Sequence, residues 1–172
     1  MTSIESQLRS LGIDPACCTI GPPIGKTLAD TCTRSREVLA SGQNVLRFSV
    51  PGSPIGKPRM TRRDKWHKRP CTARYWAWKD SARAAAGELP GAKQVVAVVV
   101  RAYFMPPKSW PKTKTAQAIG EPHRKKPDAD NVLKSVLDAL WPDDDSGVAD
   151  VIATKRWDWN ARVEIEITSF GS

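Results

Sequence analysis

The residues best suited to chemistry are acidic side chains grouped within residues 126–148. Asp128 and Asp130 stand one residue apart at the start of a predicted helix, and Asp143, Asp144 and Asp145 follow on the turn after it. Carboxylates within reach of one another repel, so they stay together only when they are protonated, solvated or bridged by a cation. If side chains from the two ends of this helix converge, they form an oxygen-rich pocket. Mg²⁺ is the natural ion for such a pocket, and Mn²⁺ can substitute for it.

Ordinary structural roles account for part of the same pattern. Asp130, Lys134 and Asp138 recur every four residues on one helix face, where an acid–base pair contributes only about 0.2–0.5 kcal/mol. Asp128 and the run 143–145 also fit helix caps and turns, where aspartate is favoured. Spacing alone therefore leaves both interpretations open.

The distribution of charge indicates what a metal site would act on. Residues 47–126 contain nineteen Lys and Arg against four Asp and Glu, whereas residues 127–172 contain four against ten. A basic region followed by an acidic one is typical of an enzyme that holds a polyanion and acts on its phosphates. Nucleic acid is the first candidate, and a merely solvated surface is the alternative.

A basic loop in the central region supplies candidates for contact with nucleic acid. Its sequence MTRRDKWHKRP, residues 60–70, places Trp66 among cations, which suits phosphate contact combined with stacking. A second lysine-rich segment, 108–126, precedes the acidic motif. The candidate DNA-binding residues are Lys57, Arg59, Arg62, Arg63, Lys65, Trp66, Lys68, Arg69, Lys125 and Lys126.

Several other classes of protein are disfavoured. No apolar run approaches the length of about 18 residues that a membrane span needs, and the first residues do not form a signal peptide, so we expect a cytoplasmic protein. The four cysteines lack CxxC spacing, which argues against a zinc site. The segment GPPIGKT, 21–27, has three residues between its glycines where a P-loop has four, so we expect no nucleotide cofactor.

At 172 residues the chain has room for one domain and an appendage. We assign residues 1–42 to a helical appendage of unknown role, with one helix ending at Gly12 and a second over 27–40. The domain over 43–172 begins with the strand VLRFSV, 45–50, and a helix over 72–86 follows, in which Trp76 is expected in the core.

The second half of this domain continues the alternation of strands and helices. The β-branched run 94–104 predicts a buried strand, and apolar residues at helical spacing from Val132 to Leu140 predict an amphipathic helix. Two last strands are expected to be joined by a tight turn around Asn160. The order β-α-β-α-β-β predicts a two-layer α+β fold, with a small mixed sheet of about four strands and helices on one face.

The motifs KPDADNVLKSVLDAL and DDSGV, followed by Lys155, resemble the signature of RusA-type Holliday junction endodeoxyribonucleases. GSPIGKPRMTRRDKWHKRP resembles the amino-terminal part of phage-borne members, and the likeness covers roughly residues 45–168. The resemblance implies a Mg²⁺-dependent, dimeric α+β nuclease that cuts branched double-stranded DNA at four-way junctions. It also implies catalytic roles for Asp128, Asp130, Lys134 and Asp145, with the three aspartates as metal ligands and Asp144 as the alternative to Asp145.

The resulting hypothesis is paired phosphodiester hydrolysis at DNA junctions during recombination and repair. Metal ions held by the aspartates would activate water and neutralise charge on the scissile phosphate, while Lys134 would orient water or stabilise that charge. A homodimer would present two identical sites to a two-fold symmetric junction. The alternatives are a DNA-binding or assembly protein without catalysis and a less selective nuclease.

Overall fold

A computed structural model describes residues 34–39, 42–66 and 69–170, excluding the side chains of Arg63 and Lys65. Most of the predicted appendage, including the segment 21–27, lies outside these residues. The helix predicted over 27–40 is wrong where it can be checked, because Ser35–Val38 form a β-strand. This strand pairs with residues 44–47, and Arg47 forms an ion pair with Glu37 at 2.6 Å. Cross-strand pairing therefore outweighs the local helical preference of the segment.

The described part of the chain contains five strands and three α-helices, numbered here in chain order. They are β1 (Ser35–Val38), β2 (Gln43–Pro51), α1 (Pro70–Ala86), β3 (Val95–Phe104), α2 (Lys112–Ala118), α3 (Ala129–Leu140), β4 (Asp150–Trp157) and β5 (Arg162–Phe170). Short 3₁₀ turns at Arg62–Lys65 and Ala92–Gln94 precede α1 and β3. The predicted α+β class is confirmed.

The strands form one mixed sheet in the order β1-β2-β5-β3-β4. β3 and β4 are parallel, and the other neighbours are antiparallel. Strand β1 adds a fifth strand to the predicted four. The last two strands are joined by the short connection 158–161, as the turn around Asn160 predicts, but they are not neighbours in the sheet, because β3 lies between them. The chain after β4 crosses the end of β3, where the Asp158 amide donates to the carbonyl of Phe104 at 2.9 Å.

The helices pack on one face of this sheet and bury a continuous apolar core. Alternate residues of β2, β3 and β5 point into it, as the two-residue period of strands requires. The strands contribute Leu46, Phe48, Val50, Val98, Val100, Val163, Ile165 and Ile167, and the helices contribute Trp78, Ala82, Ala86, Val132, Val136 and Leu140. In contrast to the prediction, Trp76 is 40% exposed, because Tyr75 and Trp78 occupy the buried face of α1 instead.

Helix α3 has the predicted apolar and polar faces. Val132 and Val136 are fully buried against the sheet, while Asp130 and Lys134 remain exposed. The helix thus presents its charged face to solvent because its other face is anchored in the core. Within the described residues, no helix is long and apolar enough to cross a membrane.

Candidate functional site

The first part of the site is the amino-terminal end of α3. Asp128 is the N-cap residue, but its side chain does not cap the helix, and its carboxylate makes no hydrogen bond or ion pair to the described residues. Asp130, in the first turn, accepts a hydrogen bond from the Nζ of Lys134 at 3.2 Å. This hydrogen bond holds the pKa of Asp130 below its ordinary value. Two aspartate side chains and the Nζ of Lys134 are therefore presented together at one helix end.

Lys155 on β4 fixes the backbone that leads into this helix end. Its Nζ donates to the carbonyl of Lys125 at 2.8 Å and to the carbonyl of Pro127 at 2.6 Å. Both carbonyls belong to the segment directly before Asp128. Since a charged donor makes strong hydrogen bonds, Lys155 acts as a clamp that sets the position of Asp128 relative to the sheet.

The loop 52–58 packs against the same helix end from the other side. The Lys57 amide donates to the carbonyl of Asn131 at 3.1 Å. A Cβ atom on Gly56 would lie 2.8 Å from Cβ of Pro127 and 3.3 Å from Cβ of Asn131, so only glycine permits this approach. The helix end is thus held between the loop and β4.

The side chain of Lys57, which the sequence predicts to contact DNA, reaches along α3. Its Nζ lies 2.7 Å from Oδ2 of Asp138, which also accepts a hydrogen bond from the Tyr75 hydroxyl at 3.0 Å. Burial, together with the bond to Asp138, raises the pKa of Tyr75, so the hydroxyl stays protonated and keeps donating. Asp138 therefore ties the loop 52–58 and α1 to α3, a role that the sequence pattern did not indicate.

The second acidic group is the turn 143–145 after α3. Asp144 accepts a hydrogen bond from the amide of Ser146 at 2.9 Å, and hydrogen bonding to Ser146 lowers its pKa. The carboxylate of Asp145 has no hydrogen bond or ion pair to the described residues. A Cβ on Gly147 would lie 2.7 Å from the amide nitrogen of Lys93, so the turn is packed tightly on the backbone before β3. Asp144 thus serves the turn, whereas Asp145 remains available to a ligand.

The two acidic groups lie at opposite ends of α3. A helix of twelve residues spans about 18 Å, so one ion cannot bridge its ends. The same separation is seen along β3. The acidic turn packs on residues 92–93, just before this strand. Lys155, beside Asp128, pairs with Ala102 near the other end of the strand. Within the described residues no three acidic, His or Cys side chains are close enough to hold a metal. The expected convergence of both ends on one pocket is therefore wrong for a single copy.

The basic loop 57–69 contains both structural and exposed cations. Arg69 donates from Nε and Nη2 to the two carboxylate oxygens of Asp64, each at 2.8 Å, and from Nη2 to the carbonyl of Arg59 at 2.7 Å. Asp64 is buried and also accepts from the amide of Thr61 at 2.8 Å. The Arg69 guanidinium holds the pKa of Asp64 far below its usual range. Arg69, which the sequence predicts to bind DNA, therefore forms an ion pair with Asp64 that stabilises the conformation of the loop.

Other members of the predicted DNA-binding set are exposed to solvent. Arg59 and Arg62 are exposed, and Trp66 is 82% exposed, so they are placed to meet a large ligand. Lys68 and the side chains of Arg63 and Lys65 lie outside the described residues. The loop thus presents exposed cationic and aromatic side chains around the Asp64–Arg69 ion pair.

A second cationic surface surrounds Trp110. The Nζ atoms of Lys114 and Lys125 lie 4.6 Å and 5.0 Å from the centre of its ring. Trp110 packs in turn against Trp157, with ring centroids 5.1 Å apart. Lysines so placed gain cation–π attraction while their ammonium groups stay exposed. The sequence pattern indicated Lys125 as a DNA-binding residue. It did not indicate that Lys114 and Lys125 lie together over the ring of Trp110.

An α+β domain that presents aspartates beside a lysine and exposes many basic side chains is typical of a metal-dependent phosphodiesterase. The family model described as "Endodeoxyribonuclease RusA" matches residues 51–168. This match spans more than half of the chain, so the protein belongs to the RusA endodeoxyribonuclease family and is a hydrolase that acts on DNA. A search of curated proteins finds no match. The predicted family and enzyme class are confirmed.

Proposed function

We propose that the protein is a Mg²⁺-dependent endonuclease that resolves four-way DNA junctions as a homodimer. The supporting observation is the carboxylate of Asp128, which stands at the N-cap of α3 without capping the helix. Aspartate at this position normally bonds to the first amides of the helix. A side chain that does not do so, beside the ionised Asp130, is suited to an external ligand.

The donor atoms fit a hard divalent cation. Asp128, Asp130 and Asp145 offer exposed carboxylate oxygens, which Mg²⁺ binds while it keeps several waters. Once bound, Mg²⁺ would supply an activated water and neutralise charge on the cleaved phosphate. Lys134 keeps Asp130 ionised by donating to it and adds a positive charge where a phosphate would approach. Lys155 keeps the backbone ahead of Asp128 in place.

A second copy would complete the set of ligands. In one copy the separation of about 18 Å along α3 keeps Asp145 away from Asp128 and Asp130. In a two-fold symmetric dimer, any contact between the amino end of one α3 and the acidic turn of its partner occurs twice. We therefore assign each metal site to Asp128 and Asp130 of one copy and Asp145 of the other. Two such sites on one two-fold axis suit paired cleavage of a two-fold symmetric junction.

Mixing two inactive variants tests this arrangement. We would prepare Asp130→Asn and Asp145→Asn with different affinity tags, co-express them and purify the heterodimer. If the sites are shared, the heterodimer contains one site with both changes and one intact site, so it should nick one strand of a synthetic four-way junction. Each parent homodimer should be inactive with Mg²⁺.

The matched control is a heterodimer of Asp130→Asn with Asp128→Asn. Both changes lie at the same helix end, so every site is damaged whether or not sites are shared, and this heterodimer should stay inactive. An inactive Asp130→Asn/Asp145→Asn heterodimer would contradict the shared site. Failure of the wild-type protein to cut four-way junctions, when duplex and single strands serve as comparison substrates at matched salt, would contradict the proposed function itself.

A further inference from the structure

A pocket of about 730 Å³ lies directly beside Asp128. Loop 52–58 forms one wall, the start of α1 forms another, and residues 126–131 form the third. Its apolar lining consists mainly of Pro54, Ile55, Trp78 and Pro127. A pocket of this volume with an apolar lining accommodates a ring system of the size of a nucleobase with its sugar.

The walls of the pocket are fixed by specific contacts. Gly56 allows the loop to meet Pro127 and Asn131, and the Lys57 amide bonds to the Asn131 carbonyl at 3.1 Å. On the other side, Lys155 holds the carbonyl of Pro127 at 2.6 Å. Because three elements are tied together at this point, the pocket has a defined shape and is not a gap beside a loose loop.

Two of the residues that line the pocket carry a polar group without a partner among the described residues. The partly buried side-chain amide of Asn131 makes no hydrogen bond to them. The Nε1–H of Trp78, whose side chain is only 5% exposed, also finds no acceptor. This nitrogen is buried, so a ligand in the pocket would reach it only with a shift of the wall. Buried donors without partners are rare, and a ligand with donors and acceptors along its edge would satisfy both groups.

Two basic side chains lie beside the pocket, where they could contact the phosphate of a bound nucleotide. Arg74 and Lys126 both line the pocket and are exposed to solvent. An apolar slot with cations beside it matches a nucleotide, whose flat base is apolar on its faces and whose phosphate is anionic. A free phosphate could bind to Arg74 and Lys126, but it would make no use of the apolar walls or of the side-chain amide of Asn131.

We infer that this pocket binds one unstacked nucleobase of the DNA, next to the phosphate that is cleaved. The inference rests on the proposed function, since it places the base beside Asp128, which we propose as a ligand of the metal. Bases at a branch point lose less on leaving the stack than bases within a duplex do, so a junction can supply one at lower cost. Asn131 would hydrogen-bond to the edge of the base and thereby favour some bases over others.

The test compares junctions that differ only at the nucleotide beside the mapped cleavage position. One junction carries the normal base there, and the other carries an abasic site. Wild-type protein should cut the abasic junction about tenfold or more slowly in kcat/KM, because base stacking on protein is absent there. Ser53→Trp, which fills the pocket from an exposed position, should slow cutting of the normal junction several-fold more than it slows cutting of the abasic junction. Ser81→Trp, exposed on α1 and away from the lining, is the control and should cut both as wild type does.

Two further measurements keep this test independent of folding and of catalysis. Asn131→Ala removes a side chain that makes no hydrogen bond to the described residues, and it should flatten the preference among bases at that position. The fluorescence of 2-aminopurine, placed in turn at each nucleotide of the branch point, should rise at one position on binding to wild-type protein without Mg²⁺, and rise less with Ser53→Trp. Equal cutting of normal and abasic junctions, with equal fluorescence for both proteins, would overturn the pocket assignment while the proposed function stands. Absence of junction cleavage together with the fluorescence difference would instead overturn the proposed function and retain the pocket.

Discussion

The two ends of α3 carry the same kind of side chain in different settings. At the amino end, Asp128 and Asp130 lie beside Lys134, and the backbone there is clamped by Lys155 and by the loop 52–58. At the carboxyl end, the acidic turn has no comparable bond from a lysine among the described residues, and tight packing of Gly147 on residues 92–93 holds it in place. The amino end is thus held in place by several bonds, whereas at the other end Asp143 and Asp145 have no hydrogen bond or ion pair to the described residues. Acidic residues that are close in sequence therefore need not share an ion within one copy.

The largest expected effect is at the amino end. Asp130→Asn removes a carboxylate that the Lys134 bond keeps ionised, so it should lower the rate of junction cleavage by about a thousandfold or more, the size expected for losing metal stabilisation of a cleaved phosphate. Junction affinity should be preserved or tightened, because a negative charge is removed from a surface that faces phosphate. Gel-shift binding without metal, alongside single-turnover cleavage with Mg²⁺, measures both. Full activity in this variant would exclude the amino end as the metal site.

The carboxyl end should respond at one position only. Asp145→Asn should reduce cleavage by about a hundredfold or more, since the motif DDSGV implies Asp145 as a metal ligand and its carboxylate has no hydrogen bond or ion pair to the described residues. Asp144→Asn should cost little, because the amide oxygen of asparagine can still accept the bond from Ser146. Asp143→Asn serves as the control and should also cost little. If Asp144→Asn were the damaging change, the ligand would have to be moved by one residue.

Lys155 should show an intermediate effect, because it positions the site without being a ligand. Lys155→Met removes both bonds to the carbonyls of Lys125 and Pro127, and we expect cleavage to fall by about 10- to 100-fold, as for other partners that orient metal ligands. A raised concentration of Mg²⁺ should partly restore the rate, and Lys155→Arg should retain more activity than Lys155→Met. A drop in melting temperature without any change in Mg²⁺ dependence would show that Lys155 serves stability alone.

Several features of the fold followed from the sequence because they depend on local pattern. The apolar spacing of α3 and the β-branched run of β3 are recorded in neighbouring residues, so their ranges were predicted closely. The neighbours of β5 and the strand β1 depend on pairings between distant segments, which no local period encodes. The site divides in the same way: the Asp130–Lys134 pair follows from helical spacing, whereas the clamp by Lys155 and the bonds of Asp138 arise only once the sheet and helices are packed.

The arginines of the basic loop also differ in their surroundings: Arg69 bonds to the buried Asp64, whereas Arg59 and Arg62 are exposed to solvent. Arg69→Ser would leave the buried Asp64 without its strongest partner, so it should lower the melting temperature by several degrees and alter DNA binding only through the loop. The low pKa of Asp64 means that its contribution to stability is complete above the ordinary carboxyl pKa and declines as the pH falls through the lowered folded value. The difference in melting temperature between variant and wild type should therefore shrink in acid.

The smallest effect is expected from the exposed arginines of the same loop. Replacing Arg59 and Arg62 together with Ser should leave the melting temperature unchanged, because exposed charges contribute little to folding. Affinity for every DNA form should weaken, and the slope of log affinity against log salt should flatten by up to about 0.9 for each phosphate that the variant no longer neutralises, since every neutralised phosphate releases condensed counter-ions. Titrations at several salt concentrations with junction and duplex DNA measure this slope. If slope and affinity both stay at the wild-type values, these arginines do not touch DNA. The junction arms would then have to be held by the lysines around Trp110, where Lys114 and Lys125 already lie over one aromatic ring.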